Sequence, residues 1–522
     1  MPFVASTTLL APFVAAMILV FVPNHRPIVV KSIAAGAGLI STLLSFYMLY
    51  AYDTAKGGYQ FEERYTWAKE LGISFHLGVD GISIPLVLAS SLLLLAGVFV
   101  SWHIKERPKE FFIFLMVLAA ATIGVYVSLD LFFLYFFYEM SVLPMYPLLG
   151  VWGSHTKAYL ENKDTGQRDS LRFFFNFAQN SKEYAAMKLT LFLSAGAVMA
   201  LLAILVIYAT SGLNSFDIVE LQNHHQVPKE LHSILFLLIF FGFASIAPLW
   251  PLHSWSPVGH AAAPAAVSML HAGALLKLGH FSIIRVGYTL LPEAAKEWMP
   301  LAAVLCLFSI VYGGLVAYFQ RDTKYVIGYS SSSHMGYIFL GMAALNMISL
   351  TGAVLYMFAH ALATGMLFAV AGWVYDQTHT RDIPSLGGLV KKMPFMTGIF
   401  ILAVAASFGL PGTVNFMGEL MILVGSWERY PFQTIVAVLG IGLTLAYLFK
   451  MMRQVFFGEF KPEFEHAHDA GLIDRLPLLT MLAASLYFGL FPTQFIEVIQ
   501  AGLVPLLKTL NGVQTTQIGG PF

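Results

Sequence analysis

Long apolar segments separated by short polar connections fill almost the whole chain. A helix that crosses a bilayer needs about 17–25 mostly apolar residues, and roughly fourteen segments reach that length. They lie near residues 2–22, 28–50, 82–103, 111–128, 131–152, 184–208, 231–253, 260–285, 298–319, 325–344, 350–374, 395–424, 432–457 and 476–495. The pattern predicts an all-α polytopic membrane protein.

Two of these segments are interrupted by proline in similar surroundings. Residues 244–248 (ASIAP) resemble residues 406–411 (ASFGLP). After the first, Pro251 prolongs the break, and a new apolar segment begins after Pro264. A broken helix is tolerated in a bilayer where its freed backbone groups face protein or trapped water. A matching pair of broken helices is typical of inverted-repeat transporters, so the sequence predicts two related halves.

Five of the ionisable side chains inside apolar segments are candidates for a functional role: Glu139, Lys277, His334, His360 and Glu419. A charged residue at the bilayer centre costs about 2.5–3.5 kcal/mol on insertion scales, so it is usually retained for a pairing or transport role. Histidine titrates near neutral pH, which suits a proton path. The alternative for each residue is a side chain that only hydrogen-bonds a neighbouring helix. For the two histidines the sequence alone favours neither interpretation.

Other polar residues share a helical face with the three charged ones, at spacings of three, four or seven residues. They are Tyr135 and Tyr146 for Glu139, His280 for Lys277, and Asn415 and Ser426 for Glu419. The remaining membrane histidines are expected to be structural and hydrogen-bonded, and two lysines are expected to extend to the interface. These are His253, His260 and His271, and Lys188 and Lys324.

The amino-acid composition supports a membrane protein and excludes several classes of cofactor and partner. The 522 residues are 58% hydrophobic and 11% charged, with a net charge of +0 and a mean hydropathy of +0.73. This balance excludes a soluble globular fold and gives no charge excess that would favour nucleic acid. Cys306 is the only cysteine, which excludes internal disulfides and cysteine-ligated iron–sulfur clusters. Redox cofactors would therefore belong to other subunits.

Basic residues are concentrated in the odd-numbered connections between spans. Because cytoplasmic loops of membrane proteins carry an excess of lysine and arginine, we expect these connections to face the cytoplasm and both termini to face the opposite side. Three longer connections are expected to lie outside the membrane. The first, residues 51–80, is predicted to form a small external hairpin. The second, residues 153–183, is predicted to be a solvated or partner-facing loop, and the third, residues 458–475, a flexible surface loop. The expected organisation is residues 1–110 for three helices and the external loop, 111–290 and 291–457 for two repeats, and 458–522 for the last loop and helix.

Eight short motifs follow one another along the chain. They are GVDGIS (78–83), FYEMSVLPMY (137–146), EYAAMK (183–188), PLHSW (251–255), GALLK (273–277), GYSSSSHMG (328–336), HTRD (379–382) and LPGTVNFMGELMIL (410–423). Together they resemble the antiporter-like subunits of respiratory complex I, and in particular the M type, equivalent to mitochondrial subunit 4. Glu419 stands where the M type has glutamate and the L and N types have lysine. The chain also ends soon after its last helix, without the lateral helix of the L type.

The resemblance implies about fourteen membrane helices in two inverted five-helix repeats, with the seventh and twelfth helices discontinuous. It implies proton translocation, with Glu139 as the carboxylate of the first half and Lys277 as the central lysine. His334 and His360 would be linking groups, and Glu419 the terminal site. No cofactor or metal is expected on this chain; FMN, iron–sulfur clusters and quinone are expected on partners. Those partners would be L-, N-, K-, J-, A- and H-type subunits and the redox arm, in a bacterial inner membrane.

One departure from the family affects the first half. The family has a lysine two residues before the proline that Pro248 matches, and this chain has Ile246. Val258 also replaces an aspartate of the family's next loop. Glu139 therefore lacks its expected counter-charge. We expect the second half, from Lys277 to Glu419, to remain competent while the Glu139 switch is altered.

Two other functions remain open. The same fold serves Mrp-type Na⁺/H⁺ antiporters, membrane-bound hydrogenases and bicarbonate-uptake complexes, so a transporter outside complex I is one alternative. The other is a non-pumping scaffold subunit, for which substitution of Lys277 or Glu419 would leave pumping unchanged. The residue types are compatible with both H⁺ and Na⁺, and the histidines favour H⁺.

Overall fold

The computed structural model describes residues 3–155 and 181–511. Twelve helices of this part are long and apolar enough to cross a membrane. Two further spans complete the set: one carries the polar run Ser330–Ser333, and the other consists of two shorter apolar helices. The described residues thus contain the predicted fourteen spans, and the chain is an all-α integral membrane protein.

The spans are numbered here in chain order. They are Val4–Phe21 (span 1), Pro27–Ala51 (2), Ser83–Val100 (3), Pro108–Val127 (4), Leu131–Val142 with Met145–Trp152 (5), Lys182–Thr210 (6), Lys229–Ile246 with Trp255–Ala262 (7), Ala265–Tyr288 (8), Pro292–Phe319 (9), Thr323–Ala343 (10), Met347–Thr378 (11), Pro394–Ser407 with Val414–Trp427 (12), Pro431–Phe456 (13) and Leu472–Leu490 (14).

Spans 7 and 12 are discontinuous, as predicted. The breaks follow Ile246 and Ser407, at the two related proline sequences. Span 8 begins at Ala265, directly after Pro264 as predicted, rather than at residue 260, where the apolar run starts. Trp255–Ala262 is the second part of span 7, and Pro264, in an extended conformation with ψ 154°, separates it from span 8.

Span 8 is irregular on both sides of Lys277. Residues His271–Leu275 and Ile283–Tyr288 are π-helical and flank the α-helical turns Leu276–Ser282. A π-helical turn accommodates an extra residue and is frequent at functional sites. The apolar windows of spans 8 and 11 are completely buried, whereas only 33% of the apolar window of span 13 is buried. Spans 8 and 11 therefore form the centre of the bundle.

Two isolated β-bridges mark the related halves. Asp130 pairs with Asp217, and Asp322 pairs with Asp382. Asp130 caps span 5 by accepting hydrogen bonds from two backbone N–H groups, and Asp322 caps span 10 in the same way. The two bridges involve connections that are five spans apart along the chain. An odd number of crossings places them on opposite sides of the membrane, which is the geometry of inverted repeats.

Residues 51–80 contain the predicted hairpin. Its strands Gln60–Ala68 and Ile73–Val79 pair antiparallel. Leu77 also forms a β-bridge with Ser128, so the hairpin is attached to the connection between spans 4 and 5.

The hairpin contributes partners to the first aspartate pair. Ser74 N–H donates to Asp130 Oδ2 over 3.0 Å, and His76 Nδ1 lies 2.7 Å from Asp217 Oδ2. Burial raises the pKa of Asp130 to about 6, although backbone N–H groups hydrogen-bond its carboxylate. Burial by itself would also raise the pKa of Asp217, but the contacts with His76 and Arg64 outweigh it, and the pKa is lowered.

A further helix, Thr493–Leu510, follows span 14. The expectation that residues 458–522 hold only a loop and the last span was therefore incomplete. This helix packs so closely on the start of span 3 that a β-carbon on Gly81 would lie 1.7 Å from Val498 O. Most of the predicted loop 153–183, residues 156–180, and residues 512–522 lie outside the described part of the chain.

Candidate functional site

Lys277 lies at the centre of the bundle with 0% of its surface exposed. Its Nζ lies 2.7 Å from His360 Nδ1 and donates to Ala272 O, a carbonyl of the first π-helical segment. A lysine ammonium has only donors, so the neutral imidazole accepts through Nδ1. The irregularity of span 8 thus provides a backbone acceptor for a lysine that has no carboxylate partner among the described residues.

A series of buried polar side chains leads from His360 to span 12. The His360 and His334 ring centroids are 5.3 Å apart, and those of His334 and Tyr356 are 6.1 Å apart. Tyr356 then donates to Glu419 Oε1 over 2.7 Å. Each imidazole retains an Nε2 atom without a hydrogen-bond partner among the described residues. The structure therefore brings four of the five predicted site residues together.

Glu419 lies against the break of span 12. Gly409, with φ +78°, approaches so closely that a β-carbon there would be 2.3 Å from Glu419 Oε2. Asn415, one turn before Glu419, is fully buried, and neither its amide oxygen nor its nitrogen has a partner in the described structure. Ser426, predicted to share this face, donates instead to Leu340 O over 3.4 Å. The carboxyl group is thus held by Tyr356 and faces the broken backbone.

Glu139 is separate from this series. Its carboxyl is half-buried on span 5 and accepts a 3.3 Å hydrogen bond from Tyr135, whereas Tyr146 is 52% exposed. Ile246 is fully buried, and a β-carbon on Gly279 of span 8 would lie 2.8 Å from Ile246 Cγ2. The isoleucine therefore fills the contact between spans 7 and 8, and no salt bridge to Glu139 occurs among the described residues.

One expectation for another membrane residue was wrong. Lys324 does not extend to the interface: it is 3% exposed and donates to Ala263 O over 2.7 Å. His260 and His271 lie side by side, with ring centroids 4.1 Å apart, and all four ring nitrogens are buried without protein partners among the described residues. His280, expected beside Lys277, contacts the Leu276 carbonyl instead.

Sequence reasoning missed Tyr356, which connects the histidines to Glu419. It lies four residues before His360 on span 11, so the same-face spacing used for other pairs contains the signal. It also missed Arg381 of the HTRD motif, whose guanidinium binds Asp322 at 3.1 Å, Ser154 at 3.0 Å and the carbonyl of Ala261. Arg381 thereby joins the second repeat to the end of span 7.

Comparisons with known proteins identify the family of the chain. The family profile described as NADH:quinone oxidoreductase/Mrp antiporter, TM, matches residues 172–444. The NAD(P)H-quinone oxidoreductase chain 4-2 of Synechocystis sp. is 35% identical over 466 residues, covering 87% of this chain and 78% of that protein. The NADH-quinone oxidoreductase subunit M of Rickettsia prowazekii is 33% identical over 490 residues, covering 92% and 94%.

Solved structures share the fold. A chain of respiratory complex I from Thermus thermophilus superposes with a TM-score of 0.84 at 24% identity, covering 97% of this chain and 99% of that one. A chain of the Mrp complex from Dietzia sp. superposes with a TM-score of 0.81 at 19% identity, covering 98% and 99%. At these identities the likeness concerns architecture alone and does not select between the functions of the two assemblies.

Proposed function

The chain belongs to the subunit M (chain 4) family of NADH:quinone oxidoreductases, and from this we propose that it translocates protons as a membrane subunit of a complex I-type enzyme. The observation that carries the proposal is the buried series Lys277, His360, His334, Tyr356 and Glu419. It joins the centre of the bundle to the break in span 12, and every member can bind or release a proton.

The contacts suit proton transfer in steps. A Lys277 ammonium donates to His360 Nδ1, so loss of its proton in that direction leaves an amine and an imidazolium. An imidazolium releases a proton from either nitrogen, and His360 Nε2 is available for the next transfer. The ring centroids are 5.3 and 6.1 Å apart with edge-to-face geometry, so successive rings of the series are in direct contact. Tyr356 then delivers the proton to Glu419 through its 2.7 Å hydrogen bond.

The first half would act differently from the second. Glu139 has a tyrosine as its described hydrogen-bond partner, and Ile246 occupies the place of the family lysine. A buried carboxylate is stabilised by a nearby cation, so without one Glu139 responds less to charge changes on span 8. We infer that Lys277 through Glu419 forms the competent path and that the Glu139 switch is altered.

In the proposed assembly, other subunits would carry the redox cofactors. FMN, iron–sulfur clusters and quinone would belong to partner subunits, and the membrane neighbours would be L-, N-, K-, J-, A- and H-type subunits. The odd connections, which carry most basic residues, would face the cytoplasm of a bacterium, and both termini the opposite side. Mass spectrometry of the complex purified in mild detergent tests this. Recovery of L-, N- and H-type subunits with iron–sulfur proteins supports it, and recovery with one large soluble partner favours the separate transporter.

Replacement of Lys277 by alanine tests translocation itself. We expect NADH-driven proton transport in inverted membrane vesicles to fall by about 10²-fold, the usual scale for loss of a proton-transfer group. Lys450→Ala is the matched control, because Lys450 is near the end of span 13 and donates to the Tyr318 carbonyl outside the buried series. Normal transport by an assembled Lys277→Ala complex would instead support the scaffold function.

A further inference from the structure

A crevice lies at the end of span 8, on the side of the hairpin. Its cavity volume is about 40 Å³, and its lining combines the polar residues Tyr59, Asp80, Gln222, Arg285 and Thr289 with apolar ones such as Leu506. These residues come from the segment before the hairpin, the start of span 3, the connection between spans 6 and 7, span 8 and the C-terminal helix. A cavity needs roughly 10–15 Å³ of this volume to hold one water, so the crevice has room for a few water molecules.

Arg285 forms the inner wall of the crevice and is 4% exposed. One guanidinium nitrogen lies 2.8 Å from Asp80 Oδ1, and another donates to Tyr59 OH over 2.8 Å. Its Nε has no acceptor among the described residues. A buried donor left unpaired costs about 1–3 kcal/mol, so a water in the crevice is the expected partner.

Arg285 and Lys277 lie on the same span, eight residues apart in the chain. At 1.5 Å per residue, this is about 12 Å along the helix. Between them, the rings of Phe281 and Tyr126 meet edge to face with centroids 5.1 Å apart. The Arg285 guanidinium lies 5.0 Å from the Phe281 ring, and Ser282 Oγ is buried without a partner among the described residues. Along span 8, the Phe281–Tyr126 contact therefore lies between the central lysine and the crevice.

We propose that this crevice is an outlet through which protons from Lys277 reach the hairpin side of the membrane. In the present conformation it is closed by the Arg285–Asp80 ion pair and by the Phe281–Tyr126 contact. A fixed guanidinium charge opposes the passage of an excess proton. Movement of Arg285 toward the crevice also withdraws its charge from the Phe281 ring, and the π-helical segment that carries Arg285 accommodates such a shift.

The step balances as a simple proton transfer. The Lys277 ammonium loses one proton to water and becomes an amine, and crevice water passes that proton to the external solvent. Lys277 regains a proton from the opposite side of the membrane, and no electrons move. This outlet rests on the proposed function, and it differs from the route through Glu419 because it leaves from span 8 of the first half.

Cysteine labelling tests the outlet, because Cys306, the only cysteine of the chain, is fully buried. Thr289→Cys places a thiol inside the crevice, and Asn223→Cys places one on the exposed neighbour of Gln222. Both variants, in the assembled complex, are treated from the non-cytoplasmic side with an impermeant trimethylammonium methanethiosulfonate. We expect labelling of both thiols, with NADH-driven proton transport reduced at least about twofold at Thr289→Cys and unchanged at Asn223→Cys.

Two results would overturn the outlet. One is a Thr289→Cys thiol that the external reagent does not label, because the crevice would then not communicate with solvent. The other is complete labelling with unchanged transport. Lys277→Ala distinguishes the two proposals: if that substitution stops transport while labelled Thr289→Cys does not, only the outlet fails. If Lys277→Ala also leaves transport intact, the proposed function itself fails.

Discussion

The hydroxyl of Tyr356 provides a sharp test of the path to Glu419. It is fully buried and donates a 2.7 Å hydrogen bond to a carboxyl group that is itself almost fully enclosed. Tyr356→Phe removes this donor and keeps the ring between His334 and span 12. Hydrogen bonds to charged groups contribute about 1.5–3 kcal/mol, which corresponds to about 10- to 150-fold in a rate that depends on them. We expect proton transport to slow within this range.

Tyr337→Phe is the matched control for this experiment. Tyr337 is also buried, and its ring lies 6.1 Å from that of Tyr356, but its hydroxyl donates to the Ala437 carbonyl. The two variants are compared by NADH-driven acidification of inverted vesicles, with the amount of assembled complex measured by native electrophoresis. Equal transport by Tyr356→Phe, Tyr337→Phe and the parent would refute the assignment of Tyr356 to the path.

Three further predictions follow from the same geometry. Glu419→Gln should reduce proton transport more than Glu139→Gln, because only Glu419 is joined to the buried series; the reverse order in vesicle assays would contradict the proposed difference between the halves. Gly409→Ala should slow transport at normal assembly, since its β-carbon would displace Glu419 Oε2, whereas Gly398→Ala, with nothing within 4 Å, should match the parent. The lowered pKa of Asp217 means that its carboxylate stabilises the fold above the ordinary value of 3.8 and that this contribution is lost as pH falls below it. Asp217→Asn should therefore destabilise the protein by about 3 kcal/mol at pH 7 and by less at pH 3. Thermal unfolding of the variant and the parent is measured at both pH values, and an equal loss of stability at the two would contradict this prediction.

The sequence was sufficient to predict the spans and breaks because they depend on local properties. Apolar length determines where a helix crosses the bilayer, and proline determines where it breaks, as at Pro248 and Pro411. Individual contacts were harder to predict. The π-helical segments beside Lys277 have no sequence signal of their own: the first packs against spans 3 and 11 and the second against spans 7 and 9, and local sequence does not reveal such contacts. Lys324 was assigned to the interface because its position near a helix end does not reveal that its ammonium lies against the end of span 7.

The shared fold of the two repeats conceals a difference in their electrostatics. In the second repeat, Arg381 of that same repeat binds Asp322 at 3.1 Å. In the first repeat, the corresponding cluster depends on the hairpin, because His76 contacts Asp217 at 2.7 Å from outside the repeat. Glu139 and Glu419 do not share this difference, because each accepts a hydrogen bond from a tyrosine hydroxyl. The aspartate cluster of the second repeat therefore contains its own cation and that of the first does not, so loss of the hairpin contacts should affect the first cluster before the second.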